Sequence, residues 1–300
     1  MPTETKKIFV TGANGFVGRH LVQRLLNSGF IVRGLILPGE VPFEEHENLR
    51  WHVGDITDSQ NMQDALQSCD QVVHLAGIVA NPSLEINRRV NTDATATILR
   101  LAEDLNYERF IFMSAAAVKF TEPNAYGISK KMAEDIVSAS DVEWAILRTP
   151  LIIGKGSEEF ERFVEFVEKF PFVVPIFGRG NVIKRPVFID DVVDALVALV
   201  TSTKIETRIY EVACNEKVTL DQLVDAVLAF KGLKKHKIHI PVSISLAMAA
   251  VAEALLGTRS PITRDIVKGL NEDIIFDTDE VIANEPLRLH TLSQSLDKLK

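Results

Sequence analysis

The stretch Ile8-Phe9-Val10-Thr11-Gly12-Ala13-Asn14-Gly15-Phe16-Val17-Gly18 decides how this chain folds. Residues 8–11 form a short β-type run. From Phe16 apolar residues recur at helical spacing as far as Asn27, and Gly29 follows as a natural helix stop. Three glycines at the spacing GxxGxxG lie between that strand and that helix. In such a turn Gly12 lets the chain reverse sharply, Gly15 lets a pyrophosphate approach the backbone, and Gly18 lets helix and sheet pack closely. The unpaired N–H groups of the helix start then face the anion.

Working outward, the alternation continues. Residues 30–37 read as a strand ended by Pro38-Gly39, 58–67 as a polar helix and 71–75 as a strand. A helix over 91–104, a strand over 110–114, a helix over 125–138 and a strand over 144–148 follow. Apolar strands alternating with helices imply an α/β fold, a doubly wound parallel sheet covered on both faces. The second half differs. It offers a helix over 158–170 with Phe160, Phe163, Val164, Val167 and Phe170 at helical spacing, and an apolar helix over 191–200. Capping boxes at Thr219/Gln222 and Thr291/Gln294 start two further helices, and an apolar helix over 244–256 stops at Gly257. The expected division is a nucleotide-binding domain over 1–155 and a smaller, mostly helical lobe over 156–300. Segments around 187–213 are expected to return to the first sheet.

Composition excludes several function classes. Lys+Arg number 33 against Asp+Glu 41, a net charge of −8, which disfavours a nucleic-acid partner or an anionic membrane surface. Cys69 and Cys214 make neither a disulfide framework nor a CxxC, which points to a reducing compartment. The start of the chain lacks the pattern of a signal peptide, and the apolar run 244–256 is too short to span a membrane and carries Glu253. A cytoplasmic protein without a membrane span is expected.

Beyond the glycine turn, further motifs follow in order: Gly54-Asp55-Ile56, His74-Leu75-Ala76-Gly77, Val90-Asn91-Thr92, Tyr126-Gly127-Ile128-Ser129-Lys130, Leu147-Arg148-Thr149-Pro150 and Phe188-Ile189-Asp190-Asp191. Together they resemble the extended short-chain dehydrogenase/reductase family, the group of NAD-dependent epimerases and dehydratases, over about two-thirds of the chain. The resemblance implies a Rossmann-type fold that binds NAD or NADP through Gly12, Asn14, Gly15, Phe16, Val17 and Gly18. It places Asp55 and Ile56 beside the adenine, Leu75, Ala76 and Gly77 along the cofactor, and Pro150 at the nicotinamide. It also implies a homodimer through paired helices.

Tyr126 and Lys130 are four residues apart on one helix and share a face. A nearby ammonium favours the phenolate of a tyrosine whose ordinary pKa is about 10. The resemblance makes Tyr126 the acid/base on the substrate oxygen and a cofactor contact, and Lys130 the group that lowers its pKa and binds the ribose. The family's third member is a Ser or Thr after the fourth strand of this reading. Anchored on Val118, that position is Ala115, a Tyr position is Lys119, and Ser114 lies one residue early. A one-residue shift in an extended segment reverses the side chain's face. Ser114 is nevertheless carried as a catalytic candidate.

The cofactor subtype stays open. Leu37 occupies the place of the acidic residue that marks an NAD site, while Arg33 and Arg19 are the cations nearest to what an NADP site needs. Lys184 and Arg185 sit where related enzymes grip a diphosphate, and a solvated loop pair is the competing reading. The phenylalanine stripe reads as core before pocket, and Lys231 to Lys237 as a solvated loop. His236 and His239 have no third ligand near them in sequence, so no metal is expected, and no Walker loop, GxSxG or HExxH is present. The reading is an NAD(P)-dependent oxidoreductase or epimerase/dehydratase acting by hydride transfer on a small carbonyl or alcohol, a nucleotide sugar among the candidates. Ala115 and Lys119 motivate the alternative, an NAD(P)-binding protein without turnover that serves as a redox sensor or an assembly subunit.

Overall fold

The computed structural model describes residues 6–79, 81–257, 260, 262–279, 281–282 and 285–300. Seven strands form the central sheet: β1 (Lys7–Thr11), β2 (Ile31–Ile36), β3 (Leu49–Val53), β4 (Gln71–His74), β5 (Arg109–Ala115), β6 (Glu143–Thr149) and β7 (Arg208–Glu211). All pair in parallel in the spatial order β7-β6-β5-β4-β1-β2-β3. The chain runs outward in opposite directions from β1 and β4. A crevice therefore opens at the carboxyl ends of those two strands.

The helices that matter to the site are α1 (Phe16–Asn27), α2 (Ser59–Leu66), α3 (Ala94–Asp104), α4 (Ala125–Ser138), α5 (Glu158–Glu168), α6 (Ile189–Thr201) and α7 (Leu220–Phe230). One face of the sheet packs on α1 and α6 through Leu21, Leu25, Val192, Leu196 and Leu199. The other packs on α2, α3 and α4 through Met62, Ile98, Ala133 and Val137. Each such aliphatic side chain taken from water contributes about 1.5–3 kcal/mol. Two covered faces explain why Ile8, Phe9 and Val10 of β1 are all apolar and all inaccessible.

Several expectations needed adjustment. β3 was not foreseen, because Leu49-Arg50-Trp51-His52-Val53 mixes polar and apolar residues as an edge strand allows. The helix expected over 91–104 begins as a short turn at Leu84–Asn87 and a π-helical segment at Arg88–Asp93 before α3. Of the segments around 187–213, β7 joins the central sheet against β6, whereas Val187–Phe188 pairs with Ile152–Ile153 outside it. The second half also holds a parallel ribbon of Val173–Phe177 with His236–Ile240 beside its helices. On α5, Phe160, Val164 and Val167 are buried in the core shared with α1 and α6, and Phe163 packs partly against it. Phe170 lies beyond α5 and is exposed.

Candidate active site

The glycine turn lies at the carboxyl end of β1, beside the crevice. Gly12 has φ +65°, and a Cβ there would stand 2.9 Å from the backbone nitrogen of Ala76. A Cβ on Gly18 would stand 2.1 Å from the carbonyl oxygen of Gly12, so the first turn of α1 can press on the loop only without a side chain. Gly15 is the N-cap of α1 and provides no side-chain cap. The helix start therefore presents backbone N–H donors and its positive dipole end to whatever lies in front of it. A cradle this tight and built of backbone donors fits a pyrophosphate. Phe16 and Val17 are half-buried, their side chains turned to the packing beneath, which leaves their backbone for a ligand.

A buried polar chain fixes the neighbouring loop. The Ala76 N–H donates to Thr11 Oγ1 at 3.1 Å, and Thr11 Oγ1 lies 2.7 Å from His74 Nδ1. On the other side of the ring, His74 Nε2 lies 2.9 Å from Thr95 Oγ1, whose own proton goes to the Asn91 carbonyl at 2.7 Å. Thr95 can then only accept, so His74 carries its proton on Nε2 and accepts from Thr11. Complete burial, reinforced by the positive charge of Lys130, holds this imidazole down to about 3, so it stays neutral. Asn91 closes the loop from the far side. Its Oδ1 accepts from the Ile78 N–H at 2.9 Å, and its Nδ2 donates to the Ile78 carbonyl at 2.9 Å and to Ser129 Oγ at 3.0 Å. The π-helical segment presents Asn91 to both the 76–78 loop and α4, a use common for such bulges. Leu75, Ala76 and Gly77 are thereby pinned along the crevice.

Asn124 caps α4 by accepting from the Gly127 N–H at 3.0 Å, which starts the helix one residue before Tyr126. Lys130 follows one turn on, 4% exposed, its Nζ 4.0 Å from the ring centroid of Phe112 on β5. Burial pushes this amine from its ordinary value down to about 7, partly countered by Glu134 one further turn along. Burial also raises the Tyr126 phenol, and the negative charge of Glu159 at the start of α5 adds to it. Tyr126 thus stands as a protonated acid at neutral pH; the expected lowering of its pKa by Lys130, one helical turn away, gives way to burial and Glu159.

Alternation along β5 puts Phe110 and Phe112 against α3 and α4, and Ile111 and Met113 on the opposite face. Ser114 continues the first column, the same face as Lys130, whereas Ala115 continues the second. Ser114 is 2% exposed, and its Oγ has no hydrogen-bond partner among the described residues. Lys119 stands away from the chemistry. Its Nζ binds both oxygens of Glu211 on β7, at 2.7 and 2.8 Å. Glu211 also meets Arg148 at 3.3 Å, and Arg148 grips Glu134 of α4 with two bonds of 2.8 and 2.6 Å. Sequence reasoning missed this run of alternating charges, buried at Glu134 and Glu211, partly buried at Arg148 and open to solvent at Lys119. It ties α4 to β6 and β7 just below the Tyr126–Lys130 face.

Asp55 and Ile56 follow β3 at the far end of the crevice, where Asp55 Oδ1 accepts from the Thr57 N–H and hydroxyl at 2.8 and 2.9 Å. The Ile56 side chain is buried in the core, so only its backbone can meet a ligand. Pro150 is buried at the end of β6. Neither reading of Lys184 and Arg185 holds. Lys184 Nζ donates to the carbonyls of Gly269 and Glu272, and Arg185 donates to those of Cys214 and Phe276. Both are buried cross-links rather than a phosphate grip or a solvated pair. His239 pairs with Asp221 at 3.0 Å. Among the described residues no cluster of three or more His, Cys, Asp or Glu is arranged to hold a metal.

Comparison with known proteins decides the class. Residues 8–213 match the model of the NAD dependent epimerase/dehydratase family. The chain belongs to that family. It is 30% identical over 249 residues to a UDP-glucose 4-epimerase of Vibrio cholerae, covering 73% of this chain and 74% of that protein. It is 26% identical over 256 residues to a ceramide reductase of Caulobacter vibrioides, covering 85% and 80%. Among solved structures, MoeE5 in complex with UDP-glucuronic acid and NAD superposes with a TM-score of 0.74 over 97% of this chain and 96% of that one, at 22% identity. That likeness shows the shared fold. Family membership makes this epimerase/dehydratase-type chain an NAD-dependent enzyme acting by hydride transfer, with a cradle matching its cofactor. Among the described residues no helix is long and apolar enough to cross a membrane.

Proposed function

We propose that this epimerase/dehydratase-family chain oxidises or reduces a carbon bearing an alcohol or carbonyl, with Tyr126 as acid/base and Lys130 as its electrostatic partner. The observation that supports the reading is that Tyr126 and Lys130 lie one turn apart on α4, with Lys130 against Phe112 and near enough to His74, the partner of Thr11, for its charge to act on that imidazole. When bound, NAD supplies the hydride acceptor or donor. The chain's residues do the rest. The helix start after Gly15 holds the diphosphate, while Asn91 and Thr11 fix the 76–78 loop beside it. Lys130, charged once an anionic ligand shares its pocket, holds the ribose and stabilises the tyrosinate after Tyr126 gives up its proton. Gly12, Asn14, Gly15, Phe16, Val17, Gly18, Asp55, Ile56, Leu75, Ala76, Gly77 and Pro150 are the proposed cofactor contacts.

The substrate class is a nucleotide sugar or a comparable small carbonyl compound, in keeping with the epimerase and reductase relatives. Residues 1–155 are proposed as the cofactor domain and 156–300 as the substrate lobe. Cytoplasmic residence is part of the same proposal. So is a homodimer through α3 and α4, whose outer surfaces carry the Arg100–Asp104 and Lys131–Asp135 ion pairs; size-exclusion chromatography tests it. The direct test of the activity is turnover of UDP-sugars and small ketones, with Tyr126→Phe as control. The variant should keep NADH affinity while losing at least about a hundredfold in rate. Unchanged turnover would remove Tyr126 from the chemistry.

One observation favours the alternative, a cofactor-holding subunit without turnover. Ala115 lacks the hydroxyl that would steady the substrate oxygen, and the hydroxyl of Ser114, although on the Lys130 face of β5, is 2% exposed and so closed off from a substrate. Ala115→Ser separates the two readings. A gain of activity from an inert wild type favours the silent subunit, whereas measurable wild-type reduction of a carbonyl excludes it.

A further inference from the structure

We infer that Glu40 is the residue that makes this site select NAD over NADP, an assignment that rests on the dinucleotide reading above. The residue just after β2, where an acid usually meets the adenosine ribose, is Leu37, whose aliphatic side chain is half exposed and has no hydrogen-bonding group. The next residues return a carboxylate to that place. Pro38 and Gly39, with φ +87° at Gly39, make a reverse turn closed by the Glu40 N–H donating to the Leu37 carbonyl at 3.1 Å. Glu40 Oε2 then accepts from the Leu37 N–H at 3.2 Å and from Asn14 Nδ2 at 3.4 Å.

Asn14 belongs to the glycine turn, so one carboxylate bridges the pyrophosphate loop and the end of β2. That is the interval an adenosine ribose must span. The Glu40 carboxylate is exposed at this corner. A 2′-hydroxyl can donate to its oxygens. A 2′-phosphate, with its charge of about −1.5 to −2, meets Glu40 as a like charge.

Of the nearby cations, Arg33 is already committed elsewhere. Arg33 Nη1 is taken up by the carbonyls of Ala65 and Gln67 at 2.9 and 2.8 Å. Arg19 holds the Asn14 carbonyl through Nε at 2.7 Å and lies 5.6 Å from the ring centroid of Phe43.

The test is a fluorescence titration of NADH and NADPH against the wild-type chain and Glu40→Gln. The amide can still accept from the Leu37 N–H, so the turn survives while the charge is lost. Wild type should bind NADH at least about tenfold more tightly than NADPH, and Glu40→Gln should shrink that ratio to within about threefold, chiefly by gaining NADPH affinity. A wild type that binds NADPH as well as NADH, or a Glu40→Gln variant with an unchanged ratio, overturns the role of Glu40 and leaves the dinucleotide site standing. Failure of wild type to bind either nucleotide overturns the dinucleotide reading itself, and the role of Glu40 with it.

Discussion

Replacing Lys130 by methionine should make the nucleotide-free protein more stable at low pH. Lys130 is almost fully buried and its amine titrates at about 7 instead of 10.5. At about 1.36 kcal/mol per pH unit, that displacement corresponds to about 5 kcal/mol of unfavourable free energy in the folded state. The sign follows from the protons bound. Below pH 7 both the folded and the unfolded lysine are charged, and the full penalty applies. Between pH 7 and 10.5 the folded amine is neutral while the unfolded one is still protonated, so the penalty falls by about 1.4 kcal/mol per unit. Methionine has similar length and no charge, and Glu134 keeps its two bonds to Arg148 in the variant. Urea unfolding of both proteins at pH 6, 7, 8 and 9, without nucleotide, measures the difference. The advantage of Lys130→Met should be largest at pH 6 and shrink steadily above pH 7. A difference that stays flat from pH 6 to 9 would refute the claim that burial governs this lysine. NADH should bind the variant more weakly, because the charge destabilising the empty site is proposed to hold the ribose.

Other substitutions probe separate parts of the site. Gly18→Ala would force a Cβ to within 2.1 Å of the Gly12 carbonyl, so the turn must open; NADH titration should show a loss of at least about tenfold. Glu134→Gln removes the charge that Arg148 grips with two bonds beneath the site. Urea unfolding should show a loss of about 3 kcal/mol, with Glu211 limiting the damage by remaining beside Arg148. A variant as stable as wild type would show that the buried charges contribute only geometry.

Much of the cofactor half was legible because its signals are local. The helix after the glycine turn begins and ends at Phe16 and Asn27, since its periodicity and following glycine are both explicit. The capping boxes at Thr219 and Thr291 form as their spacing dictates. β3 escaped notice because an edge strand needs only one apolar partner face, which leaves Arg50 and His52 in its pattern. Lys184 and Arg185 were misread for a related reason. A cation beside a motif looks free until the chain segments supplying Gly269, Glu272 and Phe276 are seen closing over it.

By itself the sequence determined the glycine-rich strand–turn–helix, the parallel sheet around it, and the one-turn spacing of Tyr126 and Lys130 on α4. These depend on residues a few positions apart, whose geometry the backbone fixes. Only the tertiary structure decided the protonation of that pair, because burial against Phe112 comes from a strand distant in sequence. Tertiary structure likewise set the tautomer of His74, the commitment of Lys119 to Glu211, and the return of Glu40 to the end of β2. Each depends on which groups from separate segments are brought together, and composition and spacing carry no record of that.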